Sequence, residues 1–230
     1  MSVTSKLASV APVKKLSRQE KAAATRRRML DAAYELFCDP GYRATTMADI
    51  AARAGVAVQT LYFTFHTKDD LLQAVQDRLV VGDDAVPPQL QPWHVAALAE
   101  PDVRHAVPML VTGTQAIFER VAPLVPTFHS VAAEPAGDVW RHSEELRLDG
   151  YRLLVAHLAA KAPLRTGLTI DAATDVLFVV LGPECYRTFV IDRGWTVAAW
   201  IDWTAATLLR DLFGLEPVSG PRRRRPTLAG

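Results

Sequence analysis

Few residues of this chain are placed to do covalent or metal chemistry. The two cysteines, Cys38 and Cys185, lie 147 positions apart without a CxxC or Cys/His spacing. A zinc site and a disulfide framework are therefore not expected, and a reducing compartment is the default. His105, His129 and His142 have no ligand-type residue four positions on, so no metal is assigned. Asp138, Glu144 and Glu145 are carboxylates on a helical stretch, where a solvated charged face is the simpler reading than an acid/base pair. There is no Gly-rich phosphate loop, no G-x-S-x-G and no H-E-x-x-H. The expectation is a non-enzyme without a cofactor.

Residues 46–65 carry a different chemistry, that of a binding surface. Thr46 is suited to an N-cap with Asp49 three positions on, a capping-box arrangement that opens a helix over 47–54. Gly55 sits where a left-handed cap ends that helix. After a three-residue turn a second short helix covers 58–65. Ile50, Ala54, Val56, Leu61 and Phe65 form its inward set, leaving Val58, Gln59, Phe63 and Thr64 facing out. Two short helices joined by a tight glycine turn predict a helix-turn-helix, whose second helix enters a DNA major groove. Charge agrees with that placement. Residues 1–80 carry a net +4, residues 81–220 a net −7, and the last ten residues +4. A basic front on an acidic body suits a polyanionic partner at the front.

The elements that must position this surface read as helical almost throughout. The chain has 230 residues, 50% of them apolar and 22% charged, enough to bury a core in one or two domains. The fold class expected is all-α: a three-helix helix-turn-helix domain at 17–66, then a larger helical effector and dimerisation domain at 67–215. A flexible leader is expected at 1–16 and a disordered basic tail, with Arg222–Arg225, at 216–230. Thr67 should cap a helix with Asp70 at its third position and Leu71, Leu72, Val75 and Leu79 on its buried side. Further helices are expected near 93–99, 102–121, 126–133, 138–161, 171–190 (kinked by Pro183) and 196–213. The longest apolar stretch, 176–181, falls far short of the roughly 20 residues a membrane helix needs. The start lacks the apolar region of a secretory signal, so a cytoplasmic location is expected.

The run RRMLDAAYELFCDPGYRATTMADIAARAGVAVQTLYFTFHTKDDLLQAV, Arg27 to Val75, resembles the DNA-binding domain of the TetR family of bacterial regulators. The segment PECYRTFVIDRGW near the C-terminus resembles a family pattern of paired C-terminal helices. The resemblance implies a homodimer, formed through the helices at about 171–190 and 196–213, on a near-palindromic double-stranded operator. Carried over by position, Gln59 is the base reader, since its amide can bond adenine N6 and N7 together. Val58 and Phe63 would pack on thymine methyls, with Thr64 also facing the groove. Thr46, Thr60, Tyr62 and Lys68 would hold phosphates. Arg27, with Arg26 and Arg28, would reach phosphates or a minor groove. Ala57, Val58 and Thr64 replace residues that are commonly polar in relatives, so fewer direct base hydrogen bonds are offered. In the second half, Trp140, Ser143, Arg147, Tyr151 and Leu154 fall on one stripe. With Phe118 and Phe178, the first four are the candidate lining of an apolar effector cavity. The function implied is a ligand-responsive regulator, by default a repressor released by a small hydrophobic molecule. An effector-free dimeric DNA-binding protein is the alternative, with an all-α enzyme or scaffold behind it.

Overall fold

The computed structural model describes residues 17–83 and 85–217, and these are helices and connecting turns. The leader expected at 1–16 and the tail beyond Pro217, with its four arginines, lie outside the described residues.

Helix α1 (Arg18–Leu36) opens on a reciprocal cap: Glu20 N donates to Ser17 Oγ at 3.1 Å, and Ser17 N donates to Glu20 Oε2 at 2.6 Å. The helix runs out because Asp39 leaves helical backbone angles ahead of Pro40 and Gly41 takes φ +105°. Helices α2 (Met47–Ala54), α3 (Val58–Thr64) and α4 (Lys68–Val81) follow. Their shared core holds Met29, Ala33 and Phe37 from the α1 side, Ile50 and Ala51 from α2, then Leu61, Phe65, Leu71, Leu72 and Val75. That core does not close on residues 17–66. Leu124, Phe128, Val131 and Val139 from the second half complete it, and Thr127 Oγ1 donates to the Phe37 carbonyl. A three-helix domain of about 50 residues buries too little surface alone, so it borrows a floor from its neighbour.

The second layer is built from α5 (Pro92–Ala99), α6 (Val103–Val121), α7 (Val125–Ser130), α8 (Gly137–Ala159), α9 (Ile170–Val180), the single turn α10 (Pro183–Tyr186) and α11 (Val197–Phe213). Leu110, Val111, Phe118, Leu158, Leu177, Tyr186, Trp200 and Leu208 form the centre of its core. The stretch 171–190 is not one kinked helix. It breaks at Leu181–Gly182, because Pro183 has no N–H to continue α9 and Gly182 turns extended to start α10.

Trp93 of α5 lies flat on Gly113 of α6. A Cβ at Gly113 would fall 2.1 to 2.6 Å from three Trp93 ring carbons. Alanine is the better helix former by about 1 kcal/mol, yet here overpacking costs about 1–3 kcal/mol. Gly113→Ala is therefore expected to destabilise the protein and to change its near-ultraviolet circular dichroism as Trp93 is displaced. Urea unfolding with an unchanged midpoint would contradict this contact.

Candidate nucleic-acid interface

The interface is built by local hydrogen bonds before any packing. Asp49 N donates to Thr46 Oγ1 at 3.2 Å, while Thr46 N donates to Asp49 Oδ2 at 2.9 Å. The Thr46 hydroxyl and backbone N–H hold the Asp49 carboxyl below the usual carboxylate range. A lowered folded value means that this cap is intact at neutral pH. It is lost only as pH falls through that lowered value. At the other end of α2, Gly55 takes φ +65°, ψ 44°, a left-handed cap that Cβ-bearing residues adopt only at a cost. Thr67 repeats the capping box with Asp70 at the head of α4.

These turns set α3 across the front of the domain. Leu61 and Phe65 face the core, at 0% and 3% exposed. Gln59, Thr60, Tyr62 and Phe63 face outward. Phe63 is 85% exposed and Tyr62 49%, a display of aromatic surface that a folded domain does not need for itself. Two expectations for α3 change. Val58, expected to face out, is half-buried against the helix-turn-helix core, because the first turn of so short a helix lies close to α2. Thr64 is half-buried too, and its hydroxyl donates to the Thr60 carbonyl at 2.9 Å.

The flanking cations divide by what holds them. Arg26 lies over the Phe65 ring at 4.4 Å, and Arg28 reaches Thr25 Oγ1 at 3.4 Å. Arg27 is exposed, with no ion pair or hydrogen bond among the described residues. Lys68 is different. Its Nζ donates to the Tyr42 and Thr45 carbonyls at 2.9 and 3.0 Å and sits 4.1 Å from the Tyr42 ring. It clamps the start of α4 to the loop that enters α2, leaving one N–H for any phosphate. Lys68→Met is accordingly expected to lower unfolding stability by about 2 kcal/mol, measured in urea without DNA. A loss confined to DNA binding would mean that the clamp contributes nothing.

The six candidate effector residues do not gather in one place. Phe118 is 3% exposed and packs edge-on against Trp200 in the second core. Trp140 stacks on Phe128 at 4.7 Å, joining the helix-turn-helix core instead. Ser143 Oγ accepts a hydrogen bond from Gln76 Nε2 of α4 at 2.9 Å. Arg147, Tyr151 and Phe178 do meet: the guanidinium lies 3.6 Å from the Phe178 ring centre and 5.4 Å from that of Tyr151. Arg147 and Tyr151 both donate to carbonyls at the end of α9. Two clefts that open among the described residues are lined by other residues. One, of ≈ 280 Å³, lies between α1, α4 and α6 and includes Tyr34, Arg78 and Arg120. The other, of ≈ 360 Å³, lies along α6 beneath Trp93 and Met109. Gln76 is absent from the residues that sequence reasoning singles out, although an amide on the Leu72–Val75–Leu79 face of α4 is a readable anomaly. It is 2% exposed, and its Oε1 has no partner among the described residues.

The helices expected at the dimer seam also differ in what they show. Helix α11 turns Trp200, Leu208, Leu209 and Leu212 into its own protomer. Large apolar side chains left outside include Leu146, Leu148 and Leu153 on α8, Val179 on α9 and Ile191 after α10, with Leu90 before α5 and Val95 on it. Burial pushes the Cys38 thiol up to about 11 and raises that of Cys185, so both are protonated at neutral pH. Among the described residues, no group of His, Cys, Asp and Glu is arranged to hold a metal ion, and no helix is long and apolar enough to cross a membrane.

Residues 29–75 match the family described as bacterial regulatory proteins, tetR family. The chain is 41% identical over 61 residues to the HTH-type transcriptional regulator TtgR of Pseudomonas putida, covering 26% of this chain and 29% of that protein. It is 43% identical over 51 residues to the HTH-type transcriptional repressor ComR of Escherichia coli, covering 22% and 24%. The chain thus spans less than a third of the length of the curated relatives it matches. Among solved structures it resembles one described as a TetR-family transcriptional regulator from Mesorhizobium loti, with TM-score 0.63 and 21% identity over 84% of this chain and 98% of that one. A TetR-like regulator from a Rhodococcus species gives TM-score 0.57 and 22% identity over 85% and 97%. These likenesses show that the fold is shared by both layers.

Proposed function

We propose, from the premise that this chain belongs to the tetR family of bacterial regulatory proteins through its helix-turn-helix domain, that it is a homodimeric repressor. On this reading it acts in the cytoplasm and leaves a near-palindromic operator when a small hydrophobic molecule binds. The observation that carries the reading is the outward face of α3. Gln59, Thr60, Tyr62 and Phe63 stand clear of the domain, on a helix held by two capping boxes and a left-handed glycine. Gln59 reads a base edge, and Phe63 packs on thymine methyls. Thr46, Thr60, Tyr62 and Arg27 position the backbone, with the remaining N–H of Lys68. Val58 and Thr64, being half-buried, contribute at the edge of the contact.

The dimer uses the 171–190 and 196–213 stretches; Val179 of α9, Ile191 just beyond the first stretch, and Leu146 and Leu153 of α8 are exposed apolar side chains available to it. Helix α4 packs Leu72 into the helix-turn-helix core and reaches α8 through the Gln76–Ser143 bond. An effector that prefers one α4 setting shifts the spacing of the two recognition helices, with a coupling of about 1–3 kcal/mol.

Selection of bound sequences from a randomised duplex pool by the purified full chain, at one fixed near-physiological salt concentration, tests this. A near-palindrome with half-site centres about 34–36 Å apart is expected. No enrichment above background, or enrichment of an isolated half-site, would sink the dimeric-operator reading.

A further inference from the structure

The cleft of ≈ 280 Å³ between α1, α4 and α6 is the place where the two layers share a solvent-open wall. Leu30, Val75 and Leu79 make its apolar side. Its charges are unevenly spent. Arg78 donates to Asp31 at 2.6 Å and to Asp83 at 3.1 and 3.3 Å, so these three satisfy one another. Arg120 faces the same cleft with no carboxylate at ion-pair distance among the described residues. Its Nε donates to the Leu79 carbonyl at 2.8 Å, which closes α4, and its own carbonyl accepts from Tyr34 at 3.1 Å. Burial pushes the Tyr34 hydroxyl up to about 12, so it stays a neutral donor. The Arg120 side chain is thus fixed in orientation by its Nε, while its terminal nitrogens make no hydrogen bond among the described residues.

A half-buried guanidinium with a fixed Nε and unused terminal donors is a fork for a planar anion. Burial lowers the pKa of Arg120, and an anion in the cleft would relieve that penalty. Arg78 is shared between Asp31 and Asp83, and Arg120 brings these four charges to balance, so it is the unbonded terminal nitrogens of Arg120, not a net positive charge, that favour an anion.

We propose that this cleft binds a carboxylate on a small apolar body, the carboxylate on the Arg120 terminal nitrogens and the body against Leu30, Val75 and Leu79. At about 30 Å³ per water-sized volume, ≈ 280 Å³ holds a guest of roughly ten non-hydrogen atoms. Such a guest would touch α1 of the helix-turn-helix layer together with α4 and α6.

Octanoate has that size and charge. 1-Octanol and octylammonium are its neutral and cationic counterparts. Calorimetric titration of the full chain is expected to show octanoate binding at least ten-fold tighter than either. Arg120→Gln is expected to weaken octanoate at least ten-fold while leaving 1-octanol unchanged. Leu79→Phe, which keeps Arg120 and fills the cleft, is expected to lose octanoate. It serves on its own if Arg120→Gln does not fold. No octanoate binding by the native chain, or affinity unchanged in whichever variant folds, overturns the site. Binding of duplex DNA without octanoate is measured separately, so a failure of the DNA reading is told apart from a failure of the cleft.

Discussion

Arg147→Met should unfold about 2–3 kcal/mol more easily than the native chain, the scale of losing hydrogen bonds to charged groups at a half-buried site. The Arg147 and Glu144 side chains are only 16% and 19% exposed and meet at 2.5 Å. Burial works against the Arg147 charge, but the Glu144 hydrogen bonds and nearby charges outweigh it and hold the guanidinium above its ordinary value. The same group donates to the Phe178 carbonyl at 2.8 Å and stacks on the Phe178 ring, closing the end of α9 where Gly182 and Pro183 break the helix. Methionine keeps the stem but strands the Glu144 carboxylate and the Phe178 carbonyl, while Tyr151 keeps its bond to Leu181. The double variant Arg147→Met/Glu144→Leu is expected to recover a large part of the loss, because no uncompensated charge remains. Denaturant unfolding of the four proteins of this cycle measures the effect. A single variant as stable as the native chain would return Arg147 to the role its sequence position suggests, a polar anchor for an effector.

Gln59→Ala should leave stability nearly untouched and strike DNA recognition. The side chain is exposed and has no partner among the described residues, so the fold does not depend on it. A lost bidentate contact to adenine is worth about 1–3 kcal/mol. A symmetric dimer loses it twice, so an operator with two intact half-sites is bound weaker by roughly 2–6 kcal/mol. The signature is positional: preference relaxes at one base pair in each half-site, while the others keep their ranking. Arg27→Ala is expected to behave oppositely, weakening all sequences alike and lowering the salt dependence. Titrations against the selected operator and its single-base variants at one salt concentration distinguish the two. If Gln59→Ala leaves the ranking of every base pair intact, the register of α3 on the groove is wrong.

Much of the interface is legible in the amino-acid sequence, because its determinants are local. The Thr46–Asp49 and Thr67–Asp70 caps join residues three apart, and the left-handed turn at Gly55 rests on one residue type. The breaks at Pro40 and Pro183 are properties of the proline ring. The effector side is less legible. Trp140, Ser143 and Arg147 sit on one stripe of α8 as periodicity requires, yet the stripe crosses the seam between the two cores, and each residue meets a different neighbour. Periodicity states which face a side chain occupies and is silent about what lies opposite.

The sequence alone thus determined most of the helices, their caps and the outward Gln59 and Phe63 of α3, since hydrogen bonds three or four positions apart and backbone stereochemistry decide them. Tertiary structure decided the rest. Lys68 clamps carbonyls 23 and 26 positions away, Arg147 closes a helix 31 positions on, and Thr127 bonds a residue 90 positions back. Only the packed chain brings such partners within the short reach of a hydrogen bond, and no local pattern encodes that distance.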